Sequence, residues 1–284
     1  MPNYFDSSSK TLTTAGLILA LALGGCATTK SATQNTKPKA DEAAVAAKPD
    51  PAQVQSLIKD DPIAAAAYWG SIHDSNPKDA NAAAQYGDAL RQMGSMDKAV
   101  TVLQESAGLL PHDSRVLASY GKALGAAGRP DDASGVLERA IALDPKNAET
   151  LSAAGVVQDQ LGHPNEAKVH YEAALKIKPS DAVILSNYGL SRAFAGDLPK
   201  AEELLARAAA SDDATPQIRQ NYALVLSLAG KFDQARRVAG HDLMPKEAEN
   251  NIDYVRDMLG KSAPLPANSG PDQAQLPTGA PRAP

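Results

Sequence analysis

Cys26 is the only cysteine in a chain of 284 residues. A lone thiol forms no internal disulfide, so the chemistry open to it is that of a nucleophile or an acyl acceptor. It follows Leu12–Leu23, a stretch apolar or small throughout, and the pair Gly24-Gly25. These 12 residues are too few to cross a bilayer, which takes roughly 20, but they match the core of an export signal. That placement favours acylation of the thiol over redox chemistry or metal binding. No second constellation competes with it. The 5 histidines are scattered: His73, His112 and His163 fall at helix ends or turns, and His170 and His241 are placed similarly. No histidine or carboxylate cluster has metal-ligand spacing, and no glycine-rich phosphate loop follows a strand. The expectation is a chain without catalysis, metal, cofactor or small-molecule substrate.

The tetrapeptide Leu23-Gly24-Gly25-Cys26 resembles the bacterial lipoprotein box, whose small residues admit a processing peptidase and whose cysteine receives a diacylglycerol. The resemblance implies a signal peptide over 1–25 and a mature chain starting at lipidated Cys26. A diacyl group on the thiol together with an amide-linked chain would give the stable membrane attachment that a single acyl chain does not. Ala27 stands where many inner-membrane lipoproteins carry an aspartate, so the family rule sends the chain to the outer membrane of a Gram-negative bacterium, facing the periplasm. A plain secretory signal with a cysteine at its cleavage site also fits, because the segment before the core carries only Lys10 against Asp6.

What an anchor of this kind would hold is set by a 34-residue period. Pro77, Pro111, Pro145 and Pro179 recur at that interval, in step with Gly94, Gly128, Gly162, Gly196 and Gly230 and with Ala99, Ala133, Ala167, Ala201 and Ala235. Apolar residues fall at helical spacing on both sides of each ladder glycine, so each unit predicts two helices. In residues 114–147, Leu117, Tyr120 and Leu124 form one face of a first helix, and Gly121 sits where a neighbouring helix comes close. Gly128 ends that helix, Asp131 or Asp132 starts the second, Ala133 is its small contact residue, and Pro145 closes the unit.

These offsets resemble the tetratricopeptide repeat. The resemblance implies an all-α fold, a right-handed superhelix of helix pairs. The units are 80–113, 114–147, 148–181, 182–215 and 216–249, preceded by a partial unit over 51–79 and followed by a capping helix over 250–260 that carries Met258 and Leu259. The last unit departs from the pattern, with Ala223 in place of the glycine of the others and Glu247 in place of the closing proline. Residues 26–50 read as a lipidated flexible linker, which as a coil would span about 27 Å. Residues 261–284, with six prolines and no apolar run, read as a disordered tail.

A net charge of −5 and an aromatic content of 4% exclude a basic, stacking surface for nucleic acid. A content of 43% apolar residues suits a core of alanine-rich helices. Stacked first helices line a concave groove that can hold another polypeptide. The early groove positions are polar: Asn81, Asp88, Arg91, Gln92, Arg115, Lys122, Glu149 and Asp159. The late ones are Leu190, Phe194, Leu224 and Leu228, beside Asn187 and Asn221. Two readings fit the four apolar residues, an anchor pocket for an apolar helix or strand, or packing against the next repeat and the cap. In the first, Asn187 and Asn221 are free to pair with the partner's backbone.

The stretches Arg219–Phe232 and Asp242–Leu259 are similar to the TadD family of Flp (tight adherence) pilus assembly lipoproteins, which join a lipoprotein box, a short linker and several tetratricopeptide repeats. The resemblance implies a role in localising, protecting or assembling the outer-membrane secretin of the pilus machine, with the secretin or another Tad machinery protein as partner. A general periplasmic scaffold lipoprotein, organising envelope or cell-wall enzymes, shares every feature outside those two stretches.

Overall fold

The computed structural model describes residues 61–262, so Cys26, the signal segment, the linker and all but the first residues of the tail lie outside them. The described residues form twelve helices and no strand. The first, α1 (Pro62–Ser75), holds Ala65 and Trp69 and occupies the second-helix place of the partial unit. Five pairs follow: α2 (Ala80–Gln92) with α3 (Met96–Leu109), α4 (Ser114–Ala126) with α5 (Pro130–Leu143), α6 (Ala148–Gln160) with α7 (Pro164–Ile177), α8 (Ala182–Phe194) with α9 (Leu198–Ala209), and α10 (Pro216–Leu228) with α11 (Phe232–Ala239). The last helix is α12 (Pro245–Ser262).

Each first helix starts on a side-chain cap one repeat after the last. Asp79, Asp113, Asn147, Asp181 and Thr215 precede the five first helices, and each side chain accepts a backbone N–H of the opening turn. Such caps satisfy donors that a helix start leaves orphaned. The second helices begin differently. α5 starts at Pro130, ahead of the aspartates expected to open it, because proline presets the φ of a first helical residue. Asp131 and Asp132 sit in its first turn, against the positive end of the helix dipole.

The turn between paired helices requires a left-handed residue. Gly128 has φ +73°, and a Cβ built there would meet nothing within 4 Å. The penalty for a side chain at this position is therefore backbone strain alone, about 1–2 kcal/mol. Gly128→Val should lower the melting temperature by roughly 3–6 °C, and an unchanged thermal melt would contradict this account.

Within a pair, the first helix meets the second at a glycine. A Cβ on Gly121 would lie 2.5 Å from Leu137, and one on Gly87 would lie 2.4 Å from Leu103. The degenerate last pair solves the same contact differently: Ala223 replaces the glycine, and the facing residue on α11 is Ala239 instead of leucine, the two lying in one buried cluster. At the junctions, Arg139 and Arg207 each donate to the carbonyl of the preceding closing proline, Pro111 and Pro179, at 3.2 and 2.9 Å.

Between pairs, successive first helices touch one another (α2 with α4, α4 with α6, α6 with α8, α8 with α10), whereas successive second helices make no comparable contact. First helices therefore form the inner, tighter layer of a solenoid and second helices the outer one. The closing helix begins at Pro245 and not at 250, so it overlaps the last unit, which explains the absence of a closing proline at Glu247. It covers α10 and α11 with Ala248, Ile252 and Val255, all buried, while Leu259 is half-buried and Met258 is exposed. The stripe 248, 252, 255, 259 has helical spacing, and Met258 falls off it.

Arg219 on α10 ties this end together, donating to both carboxylate oxygens of Asp242 at 2.6 Å each. That pairing, with a smaller contribution from His241, pulls the Asp242 carboxyl down to about 2 against the opposing effect of burial. Since the folded value lies below the unfolded one, the stabilisation is complete above about pH 4 and is lost as the pH falls through about 2. Asp242→Asn should melt below wild type at neutral pH, and the gap should close by about pH 2. A gap independent of pH would refute this role.

Candidate groove for a partner segment

The inner layer carries a cleft of about 520 Å³. Its lining comes from four first helices: Arg91 on α2, Lys122, Gly125 and Ala126 on α4, six residues of α6 from Glu149 to Gln160, and Val183, Ile184 and Asn187 on α8, with the α8 cap Asp181. The lining is chemically graded. Toward α2 and α4, Asp88 receives Lys122 at 3.2 Å and faces Arg91 at 3.6 Å. Toward α6 and α8, Lys178 reaches Glu149 at 3.0 Å and Asp181 at 3.9 Å. Between these groups lie Ala153, Val156, Val157 and Ile184.

The residues expected to bind a partner separate into two places. Asn187 lines the cleft, but its amide donates to Ser152 Oγ at 3.4 Å. Asn221 does the same one repeat later, donating to Ser186 Oγ at 3.1 Å and accepting from Gln217 at 3.0 Å. Asn221 has both ends of its amide engaged, whereas Asn187 commits only its N–H donor. An asparagine on one first helix faces a serine on the preceding one, and the pair staples adjacent repeats. Leu190, Leu224 and Leu228 are half-buried, and none of them lines the cleft. Phe194, the last residue of α8, is 84% exposed, so packing against the next repeat does not account for it.

Several early groove positions are also committed to internal bonds. Arg115 pairs with the α4 cap Asp113 at 3.0 Å. Asp159 accepts from Ser191 at 2.8 Å and from the Tyr171 hydroxyl at 2.9 Å, bridging α6, α7 and α8. Burial pushes the Asp159 carboxyl above the usual range, against the opposing pull of those two donors and of Arg192. Burial and the neighbouring carboxylate push the Tyr171 phenol up as well, so it stays a neutral donor.

Val156 was missed by sequence reasoning, although the repeat period points to it: Asp88, Lys122, Val156, Leu190 and Leu224 occupy one groove position in successive units. The change from polar to apolar therefore begins in the third unit, at the floor of the cleft. Among the described residues, no group of three or more His, Cys, Asp or Glu side chains could hold a metal ion, and no helix is long and apolar enough to cross a membrane.

Helix pairs repeating on this period, each turning at a left-handed glycine and stacked through an inner layer of first helices, define a tetratricopeptide-repeat solenoid. Family models described as tetratricopeptide repeat match residues 124–189 and 216–241. Among solved structures, the chain is similar to a thermophilic repeat protein of this type from Thermus thermophilus, at 22% identity and a TM-score of 0.55, over 63% of this chain and 99% of that one. It is similar to a chain of the APC/C hetero-tetramer Cut9–Hcn1 at 15% identity and a TM-score of 0.58, over 73% of this chain and 41% of that one. It is also similar to PilF of Pseudomonas aeruginosa at 16% identity and a TM-score of 0.50, over 64% and 90%. These likenesses show the fold. A comparison with curated proteins finds no match.

Proposed function

We propose that this solenoid is a non-catalytic protein-binding module, anchored through Cys26 to the periplasmic face of the outer membrane, that assists assembly of a Flp/Tad-type pilus secretin. Partner binding rests on the concave face, where a cleft with an apolar floor stands alongside a large apolar side chain left open to solvent at Phe194. The pilus assignment rests on the two stretches similar to the TadD family. Those stretches meet in space through the bidentate Arg219–Asp242 pair, so together they define the C-terminal end of the solenoid.

The test is secretin assembly in the native cell, comparing wild type, a deletion and Cys26→Ser by membrane fractionation and detection of the heat-stable multimer. Loss of the multimer, or its appearance in the inner membrane, is expected in both mutants. Normal outer-membrane multimers in both would remove the secretin role and favour a scaffold for envelope or cell-wall enzymes.

A further inference from the structure

The charge arrangement in the central cleft is asymmetric in a way that specifies a ligand. On one wall, two cations, Arg91 and Lys122, share the single carboxylate of Asp88. The Arg91 Nε is buried and faces Asp88 Oδ1 at 3.6 Å, so this donor is turned toward Asp88 and away from the cleft. With Lys122 beside it, that wall carries one positive charge in excess. On the opposite wall the ratio is inverted: two carboxylates, Glu149 and Asp181, share the single cation of Lys178. The floor between them is aliphatic.

Charge placement decides the form of the occupant. Helices packed 8–10 Å apart put α4 and α8 about 18 Å from one another. An extended chain turns every second side chain to one face, which suits a cleft with charged groups on two walls and an aliphatic floor between them. A segment of five to six extended residues spans the two walls.

Resting on the reading of the groove as a partner site, we propose that the central cleft takes an extended segment of the partner protein in which an acidic and a basic residue are separated by three residues, with an aliphatic residue midway. The acidic side chain meets Arg91 and Lys122, the aliphatic one sits over Ala153 and Val156, and the basic one meets Glu149 and Asp181. Side chains at alternate positions of an extended chain point the same way, so all three face the cleft together. The Asn187 amide oxygen, which has no partner among the described residues, is placed to accept a backbone N–H of the segment.

The probe is a displayed library of random dodecapeptides panned on the immobilised full-length chain, on Ala126→Trp, which fills the cleft from an exposed position, on Glu149→Lys and on Phe194→Asp. Circular dichroism would verify that each is folded. Wild type should enrich the acid–aliphatic–base pattern, and Ala126→Trp should lose that enrichment by about tenfold or more. Glu149→Lys, at an exposed residue, should replace the basic preference with an acidic one, and it decides the matter if Ala126→Trp fails to fold. Peptides that depend on Phe194 but are indifferent to Ala126→Trp and Glu149→Lys would overturn this inference and leave the groove reading standing. Enrichment of nothing on wild type would overturn both.

Discussion

Gly155→Val unfolds the middle of the solenoid and leaves its C-terminal pairs formed. A Cβ on Gly155 would lie 2.8 Å from ring atoms of Tyr171. At the equivalent place Gly87, Gly121 and Gly189 face Leu103, Leu137 and Leu205, which are fully buried and would be crowded too. Tyr171 is held at two further points: it is 1% exposed, its hydroxyl is spent on Asp159, and its ring stacks on Tyr188 at 5.3 Å. Overpacking against so fixed a neighbour should cost about 3 kcal/mol or more. Because each repeat touches only its neighbours, the damage stays local. Hydrogen exchange should show α6 and α7 losing protection while α11 and α12 retain theirs. Gly155→Ala is the graded control, in which a helix-propensity gain of about 1 kcal/mol offsets part of the clash. Wild-type stability in Gly155→Val would mean that α6 and α7 do not approach so closely.

The features that repeat along the chain were legible in the sequence, because a solenoid writes its local geometry once per unit. Gly128, Ala133 and Pro145 disclosed the turn, the close contact and the junction of their unit without any structure. The cap ladder Asp79, Asp113, Asn147, Asp181, Thr215 obeys the same period and was equally readable. It escaped because its members differ in type and share only an acceptor oxygen. The start of α12 at Pro245 was hidden for the opposite reason: it breaks the period, and its buried stripe emerges only when 248, 252, 255 and 259 are read as one helix. What joins one repeat to the next was harder to see. The Asn187–Ser152 and Asn221–Ser186 bonds and the sharing of Asp88 by Arg91 and Lys122 depend on how far each first helix is rotated against its neighbour. That rotation comes from packing, and no single unit encodes it. The cleft consequently lies one repeat earlier than the apolar residues suggested.

Phe194→Asp should separate fold from function more cleanly than any other groove substitution. The side chain is 84% exposed at the end of α8, so its removal should change stability by no more than about 0.5 kcal/mol. If it anchors a partner, docking buries an aromatic surface, and placing a carboxylate in that contact should weaken binding by about 30-fold or more, the effect of a hot-spot residue. The neighbouring leucines cannot serve this purpose: Leu224 and Leu228 are half-buried, so a charge there would lower stability and binding together. Titration of detergent-solubilised secretin with wild type and Phe194→Asp, alongside thermal melts of both, checks the prediction. Lost helical signal in the variant would assign Phe194 to the core against its exposure. Equal binding by both folded proteins would remove the late groove from the interface and leave the central cleft, with its paired and opposed charges, as the surface that recognises the partner.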